Sequence, residues 1–292
     1  MEYLKAIFKF SCDAELLQVA RDLMADAVAE AGFESFEDTD DGLTGYVQKE
    51  LLDRQALQQA VDDFPLEGVK TEYIIEEAEQ QDWNAEWEEA GFDPIIVRGK
   101  IVIYDARHTT LQQMAELSKQ YPESTDIAIE ARMAFGTGTH QTTQMIVSAL
   151  LDTNFEGKRM LDCGCGTGIL GITATKLGAE DAVGYDIDEW SVENAQHNCQ
   201  LNGVTNMRVY HGDSNVLGHI SGLFDVVVAN INRNILLADM HAFKDVMMAG
   251  GTLILSGFYE DDIPTLLEEA SRYDLTEQRR MVSDNWACLV LE

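Results

Sequence analysis

The chain has 292 residues, 46% hydrophobic and 25% charged, enough for one large core or for a medium core beside a small one. Its 52 acidic against 20 basic side chains leave a formal net charge of -32, which repels phosphate backbones and disfavours unaided binding of DNA or RNA. No apolar run approaches the ~20 residues that a membrane-crossing helix needs, and Met1 to Ser11 alternates charged and apolar residues instead of joining a basic start to an apolar stretch, so a cytosolic protein is expected.

In chain order, Leu4, Ala6, Phe8 and Phe10 fall on one face of a strand. Leu16, Leu17, Ala20, Leu23, Met24, Ala27 and Val28 recur at helical spacing between Asp13 and Glu30, and Gly32 ends that helix. Phe33 to Thr39 and Tyr46 to Leu51 read as a hairpin around Asp41-Gly42, Asp53 to Asp63 as a second helix, and Val69 to Glu76 as a last strand. The order βαββαβ predicts a small ferredoxin-like α+β domain over residues 1–78. From 79 to 93 the acids Glu79, Asp82, Glu86, Glu88, Glu89 and Asp93 occur without Lys or Arg, predicting a helical linker. Within it Trp83 and Trp87 are four apart, share a face and pack on a domain.

Residues 94–292 form the larger domain. Ile95 to Tyr104 reads as a hairpin turning at Arg98-Gly99-Lys100, and His108 to Tyr121 and Gln141 to Leu151 read as helices. Strands at Arg159 to Cys163, Ala182 to Ile187, Met207 to Tyr210, Phe224 to Ala229 and Thr252 to Ser256 then interleave with helices at Ile169 to Leu177, Ser191 to Leu201, Ile235 to Met248 and Ile263 to Ser271. The fold class is therefore α/β, with a Rossmann-like parallel sheet covered by helices on both faces. Leu275 to Val282 and Trp286 to Leu291 have no helix between them and predict an antiparallel hairpin at the end of the sheet. The cysteines, Cys12, Cys163, Cys165, Cys199 and Cys288, are odd in number and contain no CxxC pair, which argues against a disulfide framework and a zinc site.

Chemistry concentrates at Asp162-Cys-Gly164-Cys-Gly166-Thr-Gly168, which leaves the first strand of the large sheet and opens a helix. Glycine there lets the backbone turn tightly and approach a ligand at the carboxyl end of the strands. Gly166-Thr-Gly168-Ile-Leu-Gly171 also matches the dinucleotide pattern GxGxxG, with Asp186 near the distance expected for a ribose contact. Two features favour a methyl donor over NAD: acidic Asp162 precedes the glycines, where a pyrophosphate is repelled, and a second acid, Asp213, follows the third strand. S-adenosylmethionine is a sulfonium with an amino group and no phosphate, so an acidic pocket suits it. Asp186 is placed to accept from the ribose hydroxyls and Asp213 from the adenine amino group, while Asp188 is a candidate helix cap. Asn230, in Ala229-Asn-Ile-Asn-Arg233 after an apolar strand, can hold a nucleophilic amine in line with the methyl group, and Asn232 can cap the helix that follows. Upstream, Ala134 to Thr143 is a Gly/Thr loop leading into a helix, whose free amides suit the carboxylate of a methionine moiety; His140 beside that helix start reads as structural.

The block Ala134 to Thr143, the turn Asp162 to Gly171, Gly184-Tyr-Asp-Ile-Asp188, Glu193 to Gly203 and Val226-Val-Val-Ala-Asn-Ile231 resemble the bacterial methyltransferases that modify the large-subunit ribosomal protein L11. The pattern of Asp82-Trp83, Trp87, Phe92 and Pro94 is similar too, so the likeness runs from about Asp82 onward, and the N-terminal part matches in architecture. The resemblance implies a class I fold that uses S-adenosylmethionine. It also implies trimethylation of lysine ε-amines and of the N-terminal α-amine on a basic ribosomal protein, with residues 1–78 as the recognition module. Carried over by position, Thr143, Gly164, Asp186 and Asn230 contact the cofactor, beside Gly166 and Asp213 from the reading above. Gln141 departs from the family's usual proline, and Asn232-Arg233 from its small residues, on the acceptor side. A methyltransferase acting on RNA or a small molecule, and an NAD-dependent oxidoreductase, are the competing readings.

Overall fold

The computed structural model describes residues 3–12, 16–29, 31–39, 41–49, 51–62, 64, 66, 68–77, 91–131 and 136–292. The chain divides into two compact units, Met1–Ala85 and Glu86–Glu292. The expected linker tryptophans, Trp83 and Trp87, lie outside the described residues, as does Phe135 of the upstream loop.

The first unit runs β1 (Tyr3–Ser11), α1 (Leu17–Ala29), β2 (Phe33–Thr39), β3 (Gly42–Gln48), α2 (Arg54–Asp62) and β4 (Lys70–Glu77). Its sheet is antiparallel in the order β2-β3-β1-β4, the ferredoxin-like arrangement. Leu4, Ala6, Phe8 and Phe10 are buried as their alternation demands, against Ala20, Met24 and Val28, which recur every fourth residue on α1. The hairpin differs from expectation, because β3 begins at Gly42 rather than Tyr46. Gly42 lies under the Phe8 carbonyl, 1.8 Å from where a Cβ would sit, and Gly45 lies under the Phe33 and Phe36 rings. These glycines admit close neighbours, so the strand hides behind a stretch without alternation.

The second unit opens with β5 (Ile95–Val97), β6 (Ile101–Asp105), α3 (Leu111–Gln120), β7 (Thr125–Ile129) and α4 (Gln141–Leu150). Strands β5, β6 and β7 form a sheet of their own, antiparallel and then parallel, and β7 was not foreseen from the sequence. The main sheet follows with β8 (Arg159–Cys163), α5 (Ile169–Lys176), β9 (Asp181–Asp186), α6 (Glu189–Leu201), β10 (Met207–His211), β11 (Phe224–Asn230), α7 (Arg233–Asp245), β12 (Met247–Tyr259), α8 (Ile263–Ser271), β13 (Glu277–Ser283) and β14 (Trp286–Leu291). Its order is β10-β9-β8-β11-β12-β14-β13, parallel except at β14, which runs antiparallel between β12 and β13. One apolar cluster gathers α4, α5 and the small sheet on one face, and another gathers α7 and α8 on the opposite face.

The outer edge of β7 is met by a row of asparagines on α6 instead of a strand. Asn202 accepts from the Ala128 amide at 3.0 Å and donates to the Ala128 carbonyl at 2.7 Å. Asn198 accepts from the Glu130 amide at 3.0 Å, and Asn194 donates to the Glu130 carbonyl at 2.9 Å. The spacing i, i+4, i+8 puts all three on one helix face, where primary amides reproduce the alternating donors and acceptors of a strand. Among the described residues no helix is long and apolar enough to cross a membrane.

Candidate cofactor site at the sheet switch point

The chain order leaves β8 in one direction for β9 and β10 and in the other for β11 and β12, so a crevice opens beyond the carboxyl ends of β8 and its neighbours. Cys163 at the end of β8 pairs with Tyr185 on one side and Ala229 on the other. Asp186 and Asn230 therefore stand one residue past it on either flank, about 10 Å apart at ordinary strand spacing.

Between them the chain folds back at once. The Gly164 and Cys165 amides both donate to the Tyr185 carbonyl, at 2.9 and 3.0 Å. Gly164, Gly166 and Gly168 take φ of 70°, 51° and 79°, a region that side chains disfavour. A Cβ on Gly164 would also meet Ile231 Cγ2 at 2.4 Å. The Asp186 carboxylate is held from two sides, its Oδ2 accepting from the Gly166 amide at 2.9 Å and its Oδ1 from the Asp188 amide at 3.1 Å. Asp188 caps α6 by accepting from the Ser191 amide, and Asn232 caps α7 by accepting from the Asn234 amide at 2.8 Å. Thr167 Oγ1 donates to the Gly136 carbonyl at 2.5 Å and so ties the upstream Gly/Thr loop to the glycine turn. His140 caps α4, accepting from the Thr142 amide. One helical turn into α4, buried Thr143 presents Oγ1 to Asn230 Nδ2 at 3.5 Å.

Thr143, Gly164, Gly166, Asp186, Asp213 and Asn230 all line one cavity of about 320 Å³. Asp213 does so while capping a short 3-10 turn, its two oxygens accepting from the Asn215 amide and the Asn215 side chain at 2.9 and 3.0 Å. Sequence reading missed Ile187, Ile235 and Asp239, which line the same space. A signal was present: Ile235 and Asp239 are four apart on one face of α7, and Ile231 precedes Ile235 by four. Ile187, 70% exposed beside Asp186, offers a flat apolar surface at the cavity wall.

The electrostatics are one-sided. Asp186, Asp213 and Asp239 line the cavity, and no Lys or Arg is among its described lining residues. Asp162 is not in the lining, contrary to its assumed part in repelling a pyrophosphate. It is 1% exposed beneath the turn, where Oδ2 accepts from the Gly171 amide at 3.0 Å. Burial, with the nearby Asp186 charge adding, pushes its carboxyl up to about 7 against the opposing effect of the Gly171 bond. The Tyr185 phenol is raised as well, by burial first, then by Cys163, with Asp239 and Asp213 adding. Such a lining repels phosphate and suits a ligand with positive charge.

The sheet order, the glycine turn at the switch point and the acidic crevice define the class I S-adenosylmethionine-dependent methyltransferases. A sequence profile of the family described as ribosomal protein L11 methyltransferase (PrmA) matches residues 10–292. The ribosomal protein L11 methyltransferase of Bacteroides fragilis is 42% identical over 283 residues, 97% of this chain and 98% of that one. Its counterpart in Bacteroides thetaiotaomicron is 41% identical over 291 residues, 99% of both. The crystal structure of a ribosomal protein L11 methylase from Lactobacillus delbrueckii subsp. bulgaricus superposes with a TM-score of 0.60 at 25% identity, covering 69% of this chain and 98% of that one. The chain belongs to the ribosomal protein L11 methyltransferase family.

Proposed function

We propose that this chain transfers methyl groups from S-adenosylmethionine to lysine ε-amines and the N-terminal α-amine of ribosomal protein L11, a basic partner, in the cytoplasm. The observation that carries the reading is the convergence, at one switch-point cavity, of Thr143, Gly164, Gly166, Asp186, Asp213 and Asn230 with a lining that holds three carboxylates and no described cation. The bound cofactor supplies an electrophilic methyl on a sulfonium. Asp186, already oriented by two backbone amides, keeps lone pairs for the ribose hydroxyls, and the N-terminal turn of α4, where Thr143 lines the cavity, suits the methionine carboxylate. Ile187 covers one face of the adenine, Asp213 accepts from the adenine amino group, and the negative charge of Asp239 suits a cationic ligand.

Asn230 positions the acceptor. With its Nδ2 turned to Thr143, its Oδ1 is left to accept from an incoming amine and hold the nitrogen in line. A lysine ammonium, ordinarily near a pKa of ~10.4, has no lone pair until it sheds a proton. Desolvation at the mouth of the crevice favours the neutral amine, so the chain needs no dedicated base, and His140 serves as a helix cap. The unit Met1–Ala85 is the recognition module in this reading. Direct action on nucleic acid is not part of it, because a net charge of -32 opposes a phosphate backbone.

Calorimetric titration with S-adenosylmethionine and with NAD, repeated on Asp186→Ala, tests the site. We expect the methyl donor alone to bind, with affinity reduced at least ~100-fold in the variant, as for a charged group losing two ribose hydrogen bonds. Binding of NAD alone, or an unchanged affinity in Asp186→Ala, refutes the assignment.

A further inference from the structure

Beyond Asn230 a chain of contacts leads out of the cofactor cavity and returns to the same loop. Asn230 meets Thr143 on α4, and the His140 cap of that helix sets its ring edge-on to Trp286, with centroids 4.8 Å apart. Trp286 leans on Tyr259, its cross-strand partner from β12, at 4.3 Å and an interplanar angle of 32°. The Tyr259 amide donates to Asp262 Oδ2 at 3.0 Å, and Asp262 Oδ1 accepts from Arg233 Nη1 at 2.7 Å. Arg233 is the first residue of α7, directly after Asn232.

This ring of side chains surrounds the side from which an acceptor must come. Its aromatic corner is open, Tyr259 being 53% exposed. Asn230 is level with Ser256 on β12, and Tyr259 lies three residues further on, past a bulge between Ser256 and Phe258. Neither Tyr259 nor Trp286 lines the cofactor cavity, so the corner does not hold an amine that is reacting. It is near enough for a lysine tip that has drawn back. Its surroundings favour a cation: Glu260, Asp261 and Asp284 are exposed beside it, while two guanidinium groups of the neighbourhood are paired with carboxylates, Arg233 with Asp262 and Arg280 with Glu277.

We propose that Tyr259 and Trp286 form a resting place for the partly methylated lysine ammonium between successive transfers. The inference rests on the function proposed above. In each round the neutral amine forms an N–C bond as the S–C bond breaks, the electron pair stays with sulfur, and the proton the new ammonium must lose before the next round goes to water. The spent cofactor has to be exchanged before that next round, and during the exchange the acceptor nitrogen is charged again. Alkylated ammonium groups bind well to aromatic faces because their charge is diffuse and weakly hydrated. A lysine held there stays with the enzyme, so degree of methylation is set at the corner and not at Asn230.

The experiment uses the full-length enzyme with excess ribosomal protein L11 and S-adenosylmethionine, stopped while most acceptor is untouched, with the protein weighed by mass spectrometry. The unsubstituted enzyme should release mainly trimethylated lysines. Tyr259→Leu should raise the ratio of mono- plus dimethylated to trimethylated product at least ~threefold, the scale of one lost cation–π contact, and Tyr259→Phe should restore the original pattern. Titration with S-adenosylmethionine shows whether the variant is folded, and Tyr259→Gln replaces it if not. An unchanged distribution in the Leu or Gln variant, or free intermediates from the unsubstituted enzyme, overturns the resting place alone. Absence of any transfer to L11 by the unsubstituted enzyme overturns the proposed function, and the resting place with it.

Discussion

Asp162 has one oxygen bonded to the Gly171 amide and the other without a hydrogen-bonding partner among the described residues, in a position almost closed to water. Folding therefore favours the protonated carboxyl, whose pKa stands at about 7 in the folded chain against an ordinary 3.8. A raised value in the folded state means a stabilising contribution that is complete below the ordinary value and is lost as pH rises through about 7. Asp162→Asn keeps an acceptor for Gly171 and cannot ionise, so its melting temperature relative to the unsubstituted chain should climb between pH 5 and pH 8. Parallel pH profiles for the two proteins would refute the buried proton. At this scale the sequence reading was uneven for a definite reason. Asp186 and Asn230 sit at strand ends, where a turn signal marks them. Asp239 stands inside α7 with nothing but four-residue spacing to link it to Ile235 and Ile231, and the burial of Asp162 depends on packing that no local pattern encodes.

Among the elements, α6 carries more than an apolar stripe. Asn198 touches two parts of the fold at once, accepting from the Glu130 amide beyond β7 and donating at 2.9 Å to the Thr167 carbonyl in the glycine turn. Asn198→Ala leaves a buried donor and a buried acceptor unpaired, which should cost on the order of 3 kcal/mol in chemical denaturation. It should also weaken S-adenosylmethionine binding, because Thr167 fastens the turn to Gly136. Loss of stability with cofactor affinity intact would show that the turn is held by other contacts. The alternation of strands and helices after Arg159 was legible because strands buried on both faces read as continuous apolar runs. Strand β7 was not, since its five residues Thr125–Ile129 form a short edge whose partner is a row of side chains on a helix 64 or more residues later. The start of β3 was lost for the converse reason, two glycines standing where an alternating pattern would show side chains.

For the molecule as a whole, charge is the dominant fact. A net charge of -32 draws a cationic protein in from a distance and does less for a small cofactor held by the groups that line the crevice. Raising ionic strength from about 0.05 to about 0.5 M should therefore increase KM for ribosomal protein L11 several-fold and alter the S-adenosylmethionine Kd less than about twofold. Equal sensitivity of both constants would place the attraction at the crevice itself. The succession of strands and helices along the chain was readable from periodicity, whereas the order in which the strands pair, and the separation of β5, β6 and β7 into their own sheet, were not, because they depend on which edge each strand finds. That small sheet has a consequence for recognition. An exposed strand edge can capture a peptide by extending the sheet, reading its backbone and every second side chain. The amides of Asn194, Asn198 and Asn202 already occupy the hydrogen-bonding groups of β7 at Ala128 and Glu130. A peptide strand therefore finds those groups of β7 already paired, and the edge is closed to capture by sheet extension at Ala128 and Glu130.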